Sequence, residues 1–291
     1  MVKKETKERL QKVGGLTYIW VLLALMYAPI LVLVIFSFTD SPKLGIWNGF
    51  TFDLYGQLFK DKKVQTAIGN TVIIALISAT VATFLGTIGA IGTHECKKRI
   101  KRSIEFTTQI PVVNPEIVIA LSLTIMFVFF GTYVFKDMQF SFWTLLIGHL
   151  VLTTPFVYLS VKPKLLQMDP ALYEAALDLG CTPNQALRKA VLPEIMPGVF
   201  SGFLLSITLS LDDFIVTAFT SGAGLLNGQG KIETISTYVE SIIKKKPLPA
   251  KMRALCAIIF LLVIIIVVAY SVYNSRKGKI GDKHAERRAK L

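Results

Sequence analysis

Three carboxylates sit inside runs that are otherwise apolar: Glu116 in NPEIVIALSL, and Asp212 with Asp213 in LSLDDFIVTAFTSG. No Lys or Arg accompanies them within such a run. If these runs cross a bilayer, each acid costs of order 2.5–3.5 kcal/mol on insertion, so acids there face a cavity or a partner. Negative charge without an internal counter-charge suits a cationic ligand, whose lost hydration the carboxylates replace. Ser206, Ser210, Asp213, Thr217 and Thr220 recur at steps of 4, 3, 4 and 3 and share one helical face. Asp212 lies about 100° away and, beside Thr208, widens that polar stripe. Two readings stay open here. The hydroxyls fit a buried polar seam against a neighbouring helix, whereas two adjacent acids favour a pathway. Asn114-Pro115-Glu116 reads as the N-cap and first two positions of a helix restarted after Pro111 interrupts the span. Glu116 then complements the helix dipole, faces a ligand, or does both.

The elements that must position these residues are membrane spans. Of 291 residues, 53% are hydrophobic and only 18% charged, with mean hydropathy +0.56; soluble domains carry about 25% charged residues. Six runs reach the roughly 20 residues needed to cross a bilayer: 16–38, 69–92, 109–133, 141–161, 197–220 and 254–274. The expected fold is an all-α integral membrane protein of six transmembrane helices. With the N-terminus inside, the inner segments hold 21 of the 32 Lys and Arg, leaving 11 outside. That asymmetry places both termini in the cytoplasm of a plasma-membrane protein. It also accounts for much of the +13 net charge without a nucleic-acid partner. The expected organisation is a basic cytoplasmic N-terminus over 1–15, a membrane domain over 16–275, and a basic cytoplasmic tail over 276–291. The N-terminal apolar run is about 23 residues long with no small-residue cleavage site, and reads as a retained first span rather than a leader.

No phosphate-binding loop, GxSxG or HExxH motif is present, so no catalytic residue is expected. Cys96, Cys181 and Cys256 show no metal-ligand spacing, and no metal or cofactor is expected in this chain. His149 lies inside the fourth span, where a metal or proton-relay role is disfavoured. Ala82, Gly86 and Ala90 give the second span a close-packing face. The outer segment KLGIWNGFTFDLYGQLF reads as an interfacial aromatic belt or a docking surface. Lys244–Lys246 reads as a solvated outer charge run.

Between the fourth and fifth spans lies a polar segment, YEAALDLGCTPNQALRKAVLP, within an inner loop over 162–196. Asp169 and Pro170 start a helix, and Gly180 stands where a left-handed residue ends one. Thr182, Pro183 and Gln185 give the capping box of a second helix. Ala171, Ala175 and Leu179 form a small, smooth stripe suited to a groove. An ordinary connector covering its own bundle is the alternative.

EAALDLG, nine residues, then AVLP resembles the EAA loop of type I ABC importer permeases (the MetI-like family), with Glu174, Ala175, Ala176, Gly180, Leu192 and Pro193 matching. Ala190 stands where that family has an isoleucine-like residue. LSLDDFIVTAFTSG, NPEIVIALSL and WNGFTFDLYGQLF are similar to segments of the PotC-type spermidine/putrescine permeases, with Leu54 in place of a common tryptophan. The resemblance runs over roughly residues 16–275. It implies a six-span permease subunit of an ATP-driven polyamine importer. It also implies two partner ATPases, binding ATP and magnesium, at the EAA loop. A second homologous permease and an outer polyamine-binding protein complete the assembly. By it, Glu116, Ser210, Asp212 and Asp213 lie along the substrate path, and Glu174 to Gly180 form a coupling helix. The alternatives are a type I permease for iron, sulfate or phosphonate, or an ATPase-independent secondary transporter.

Overall fold

The fifth apolar run is not one helix. In the computed structural model, a long helix ends at Asp212 and a short one starts at Ile215. The described residues are 2–41, 45–134, 140–221, 232–244 and 250–261, with 264, 265 and 268; for 2–13 the backbone alone is described. All regular structure among them is helical. The helices are α1 (Val2–Phe36), α2 (Asp53–Lys60), α3 (Lys62–Glu95), α4 (Lys98–Val113), α5 (Glu116–Tyr133), α6 (Phe142–Gln167), α7 (Ala171–Asp178), α8 (Pro183–Ala186), α9 (Leu192–Asp212), α10 (Ile215–Thr220) and α11 (Ile235–Ile243). Five stretches are long and apolar enough to cross a membrane: Gly14–Phe36, Lys62–Glu95, Glu116–Tyr133, Phe142–Gln167 and Pro183–Asp212. They answer to the first five expected spans. Of the sixth, residues 254–261 are helical, and most of the remainder lies outside the described residues, as do Lys245, Lys246 and the tail.

The chain divides into two units, residues 1–61 with 246–291, and residues 62–245. In the first unit, Arg253 is 2% exposed and donates to the carbonyls of Phe36 and Ser41. A guanidinium there satisfies carbonyls at the end of α1 that no helical N–H can reach. The aromatic segment folds on itself. Phe38 stacks on Phe50 at 5.3 Å and meets Phe52 and Tyr55, while Leu54 and Leu58 turn α2 inward.

The second unit is a bundle of α3, α5, α6, α9 and α10. Small residues let its backbones approach. A Cβ on Gly86 would stand 2.8 Å from Val157, and one on Gly148 would stand 2.7 Å from Val216. Ala82, Ala90, Val157, Tyr158, Val161 and Ile195 fill the seam among α3, α6 and the start of α9. Ser78 meets Ser210, Val157 meets Gly202, and Thr144 meets Thr220, so α9–α10 runs antiparallel to both α3 and α6. Ala120 packs with Val216, and Thr124 bonds the Phe219 carbonyl, so α5 runs parallel to α10.

The interruption of the third run lies later than Pro111, which α4 absorbs. Asn114 and Pro115 instead adopt extended backbone, with ψ of 142° and 136°. A residue before proline is driven out of the helical region, whereas Pro111 itself removes only one helical donor.

Candidate functional site

The break after Asp212 leaves the first N–H groups of α10 without helical acceptors, inside a bundle that offers little water. Asp213 supplies the acceptors. One oxygen takes the Val216 N–H at 3.1 Å; the other takes the Thr217 N–H at 2.8 Å and its hydroxyl at 2.7 Å. The side chain is fully buried. Its neighbour Asp212 is exposed, as is Glu116. The parallel packing of α5 on α10 explains how two acids far apart in sequence converge. One turn back from Ala120 is Glu116, and the break between Asp212 and Ile215 lies just before Val216. Glu116 lies within coulombic reach of both Asp213 and Asp212.

The polar stripe of the fifth run faces inward. Ser206, Ser210, Thr217 and Thr220 are all buried. Ser210 accepts from Ser78 at 3.0 Å, and Thr220 caps its own helix by donating to the Val216 carbonyl. Ser210 and Thr217 therefore bond across to α3 and α6, the first of the two sequence readings, whereas the buried Ser206 hydroxyl has no partner among the described residues. The four residues expected along a path divide accordingly: Asp212 and Glu116 present exposed carboxylates, whereas Asp213 and Ser210 stand behind them in the protein.

Sequence reasoning noticed His149 but set it aside. It is fully buried on α6, with Nδ1 at 2.8 Å from the Ser210 hydroxyl and Nε2 at 2.9 Å from that of Thr217. Its partners lie 61 and 68 residues away, so no local pattern announces them.

The second candidate region is the loop after α6. Asp169 caps α7 by accepting from the Ala171 N–H at 2.9 Å, and Gly180 turns the chain with φ of +86°. Thr182 and Gln185 bond reciprocally, as a capping box requires. Ala171, Ala175 and Leu179 are exposed together with Glu174, so the smooth stripe of α7 points away from the bundle; Ala176 is half-buried. Tyr173, Leu187 and Leu192 pack on the core behind it. A cavity of about 420 Å³ separates α7 from the ends of α3 and α6, with Ile91, Glu95, Leu165 and Met168 in its wall. The second arm is not free-standing. From α8 it passes through one π-helical turn, Leu187–Val191, into α9, where Pro193 occupies the first turn.

Five apolar stretches long enough to cross a membrane, an exposed short helix and acids at a break in the fifth stretch are the features of a multi-pass membrane subunit. The chain belongs to the family described as binding-protein-dependent transport system inner membrane component, whose profile matches residues 82–278. It is 33% identical over 277 residues to the spermidine/putrescine transport system permease protein PotC of Escherichia coli (strain K12), covering 94% of this chain and 98% of that one. It is 36% identical over 200 residues to the putrescine transport system permease protein PotI of the same strain, covering 68% and 71%. Its fold is similar to that of a bacterial ABC transporter involved in import of the acidic polysaccharide alginate. The TM-score is 0.67 at 16% identity, over 94% of this chain and 98% of that one.

Proposed function

We propose that this chain is the permease subunit of an ATP-driven importer that carries polyamines, spermidine or putrescine, across the plasma membrane into the cytoplasm. The observation that carries this reading is two exposed carboxylates, Asp212 at the break between α9 and α10 and Glu116 at the start of α5, the helix packed on α10. Two acids matched to no cation in the spans offer a polyamine what it loses on leaving water. The names of the similar permeases agree with that cargo. The site binds weakly, since passage demands release as well as entry.

In the working assembly this chain has six spans with both termini cytoplasmic, beside a second homologous permease and a polyamine-binding protein outside. Two ATPase subunits seat on α7 and take up the ATP and magnesium. Glu174, Ala175, Ala176 and Gly180 form the seated surface and its stop, and Leu192 and Pro193 begin the lever. The exposure of Ala175 beside Glu174 and the continuity of α8 with α9 support that coupling role for the loop 162–196. An anionic cargo such as sulfate or phosphonate is disfavoured by the same acids.

The test is polyamine uptake by the assembled complex in proteoliposomes. Asp212→Asn combined with Glu116→Gln should abolish uptake while the subunits still co-purify. Wild-type uptake by that double variant would overturn the cargo reading.

A further inference from the structure

The hydrogen bonds around the break have a direction. The Thr217 hydroxyl gives its one proton to the Asp213 carboxylate, which can only accept. Thr217 therefore meets His149 as an acceptor, and Nε2 carries a proton. On the other side the Ser78 hydroxyl, placed between the Ala75 carbonyl at 3.2 Å and Ser210 at 3.0 Å, donates to the nearer Ser210, leaving the Ser210 proton to point at Nδ1. The chain then runs from Ser78 through Ser210 to His149, and from His149 through Thr217 to Asp213. It joins α3, α9, α6 and α10, and Nε2 also stands 3.6 Å from the carboxylate itself. No other described side chain bonds both sides of the break.

We propose that His149, as the neutral Nε2–H tautomer, is a positioning residue of the cargo path. One nitrogen holds α9 through Ser210, and the other holds α10 through Thr217. The imidazole thereby fixes the angle of the broken span and keeps Asp213 aimed at the first turn of α10. The position of Asp212 at the end of α9, relative to Glu116 on α5, follows from that angle. The inference rests on the polyamine reading for its cargo, but the hydrogen-bond chain stands on geometry alone. A buried imidazole with both nitrogens satisfied is costly to replace, because each lost partner leaves a buried polar group unpaired.

Two measurements on the full complex test this. The first is polyamine uptake by His149→Phe, His149→Gln and His149→Asn. Phenylalanine keeps the ring volume and loses both links. Glutamine reaches Thr217 alone, and asparagine reaches Ser210 alone. The expected order is wild type, then Gln and Asn, then Phe, with Phe lower by about tenfold, the combined effect of two modest hydrogen bonds. Co-purification with the partner subunits should survive in all three. A space-filling role reverses the order, and Phe matching wild type would overturn the proposal. The second is the ¹⁵N spectrum of labelled His149, where Nε2 should be protonated and Nδ1 bare. A protonated Nδ1 would overturn the assigned chain. If the wild-type complex imports no polyamine, the cargo reading fails, and the ¹⁵N spectrum still decides the tautomer and its chain.

Discussion

Asp212 and Asp213 are adjacent acids with opposite surroundings, and their alanine variants should fail in opposite ways. Asp213→Ala removes three bonds from the start of α10, to the N–H groups of Val216 and Thr217 and to the Thr217 hydroxyl. Loss of a capping side chain alone costs about 0.5–2 kcal/mol. Bonds to a charged group are worth about 1.5–3 kcal/mol each, although they do not add fully when one group makes all three. The sum points to about 3–5 kcal/mol for Asp213→Ala. Asp213→Asn should cost roughly half as much, because the amide keeps one accepting oxygen. Asp212→Ala changes an exposed side chain and should stay within about 0.5 kcal/mol of wild type. Equilibrium unfolding of the purified protein in mixed micelles gives the stabilities, and proteoliposome uptake gives the function. Asp212→Ala should lose uptake with stability intact, whereas Asp213→Ala should lose stability first. Equal destabilisation by the two, or an Asp213→Ala protein as stable as wild type, would refute the division of labour.

Gly148→Ala would set a methyl group 2.7 Å from Val216 and should cost about 1–3 kcal/mol by overpacking; adding Val216→Ala removes the clashing carbon and should recover most of that loss in the same unfolding assay. Ala175→Arg alters an exposed position of α7 and should leave the fold within about 0.5 kcal/mol of wild type while releasing the ATPase subunits, measured by co-purification. Gly180→Val forces a branched residue to φ of +86° and should cost about 1–2 kcal/mol, seen as faster hydrogen exchange confined to α7 and α8. Lys162→Met breaks a 2.8 Å pair with Glu105 whose side chains are each 24% exposed, and should change stability by less than about 1 kcal/mol.

Local chemistry was legible in the sequence wherever it was enough to decide the structure. The capping box at Thr182 and Gln185 and the left-handed turn at Gly180 depend on residues within one turn of each other, and both stand where the spacing places them. The break at Asp213 does not depend on such neighbours alone. Ser206, Ser210, Asp213, Thr217 and Thr220 keep a helical spacing through it, and no glycine or proline marks the site. The one trace is an aspartate at the residue before the N-cap, whose oxygens reach the N–H groups three and four residues on. An apolar run of ordinary span length hides that signal. Which acid would turn inward depends on α6 and α5 packing against α10, a long-range outcome.

The break itself explains why two acids stand side by side. Ending α9 at Asp212 leaves its last carbonyls without helical donors, apart from the Leu209 carbonyl, which receives the Asp213 N–H at 3.1 Å. These carbonyls carry the negative end of the α9 dipole, and Asp212 adds a full charge at the same place. The start of α10 carries the positive end, which would repel a cationic cargo if left bare. Asp213 neutralises it from within, and Thr217, itself bonded to His149, holds that carboxylate at the first turn of α10. One acid therefore cancels the unfavourable half of the discontinuity so that its neighbour, with Glu116, can present the favourable half. A single aspartate could cap or attract, but its two oxygens could not do both. On this argument, transferring the acid by Asp212→Ser with Phe214→Asp should not restore uptake, because residue 214 is the N-cap of α10 and a carboxylate there would add to the cap rather than to the end of α9.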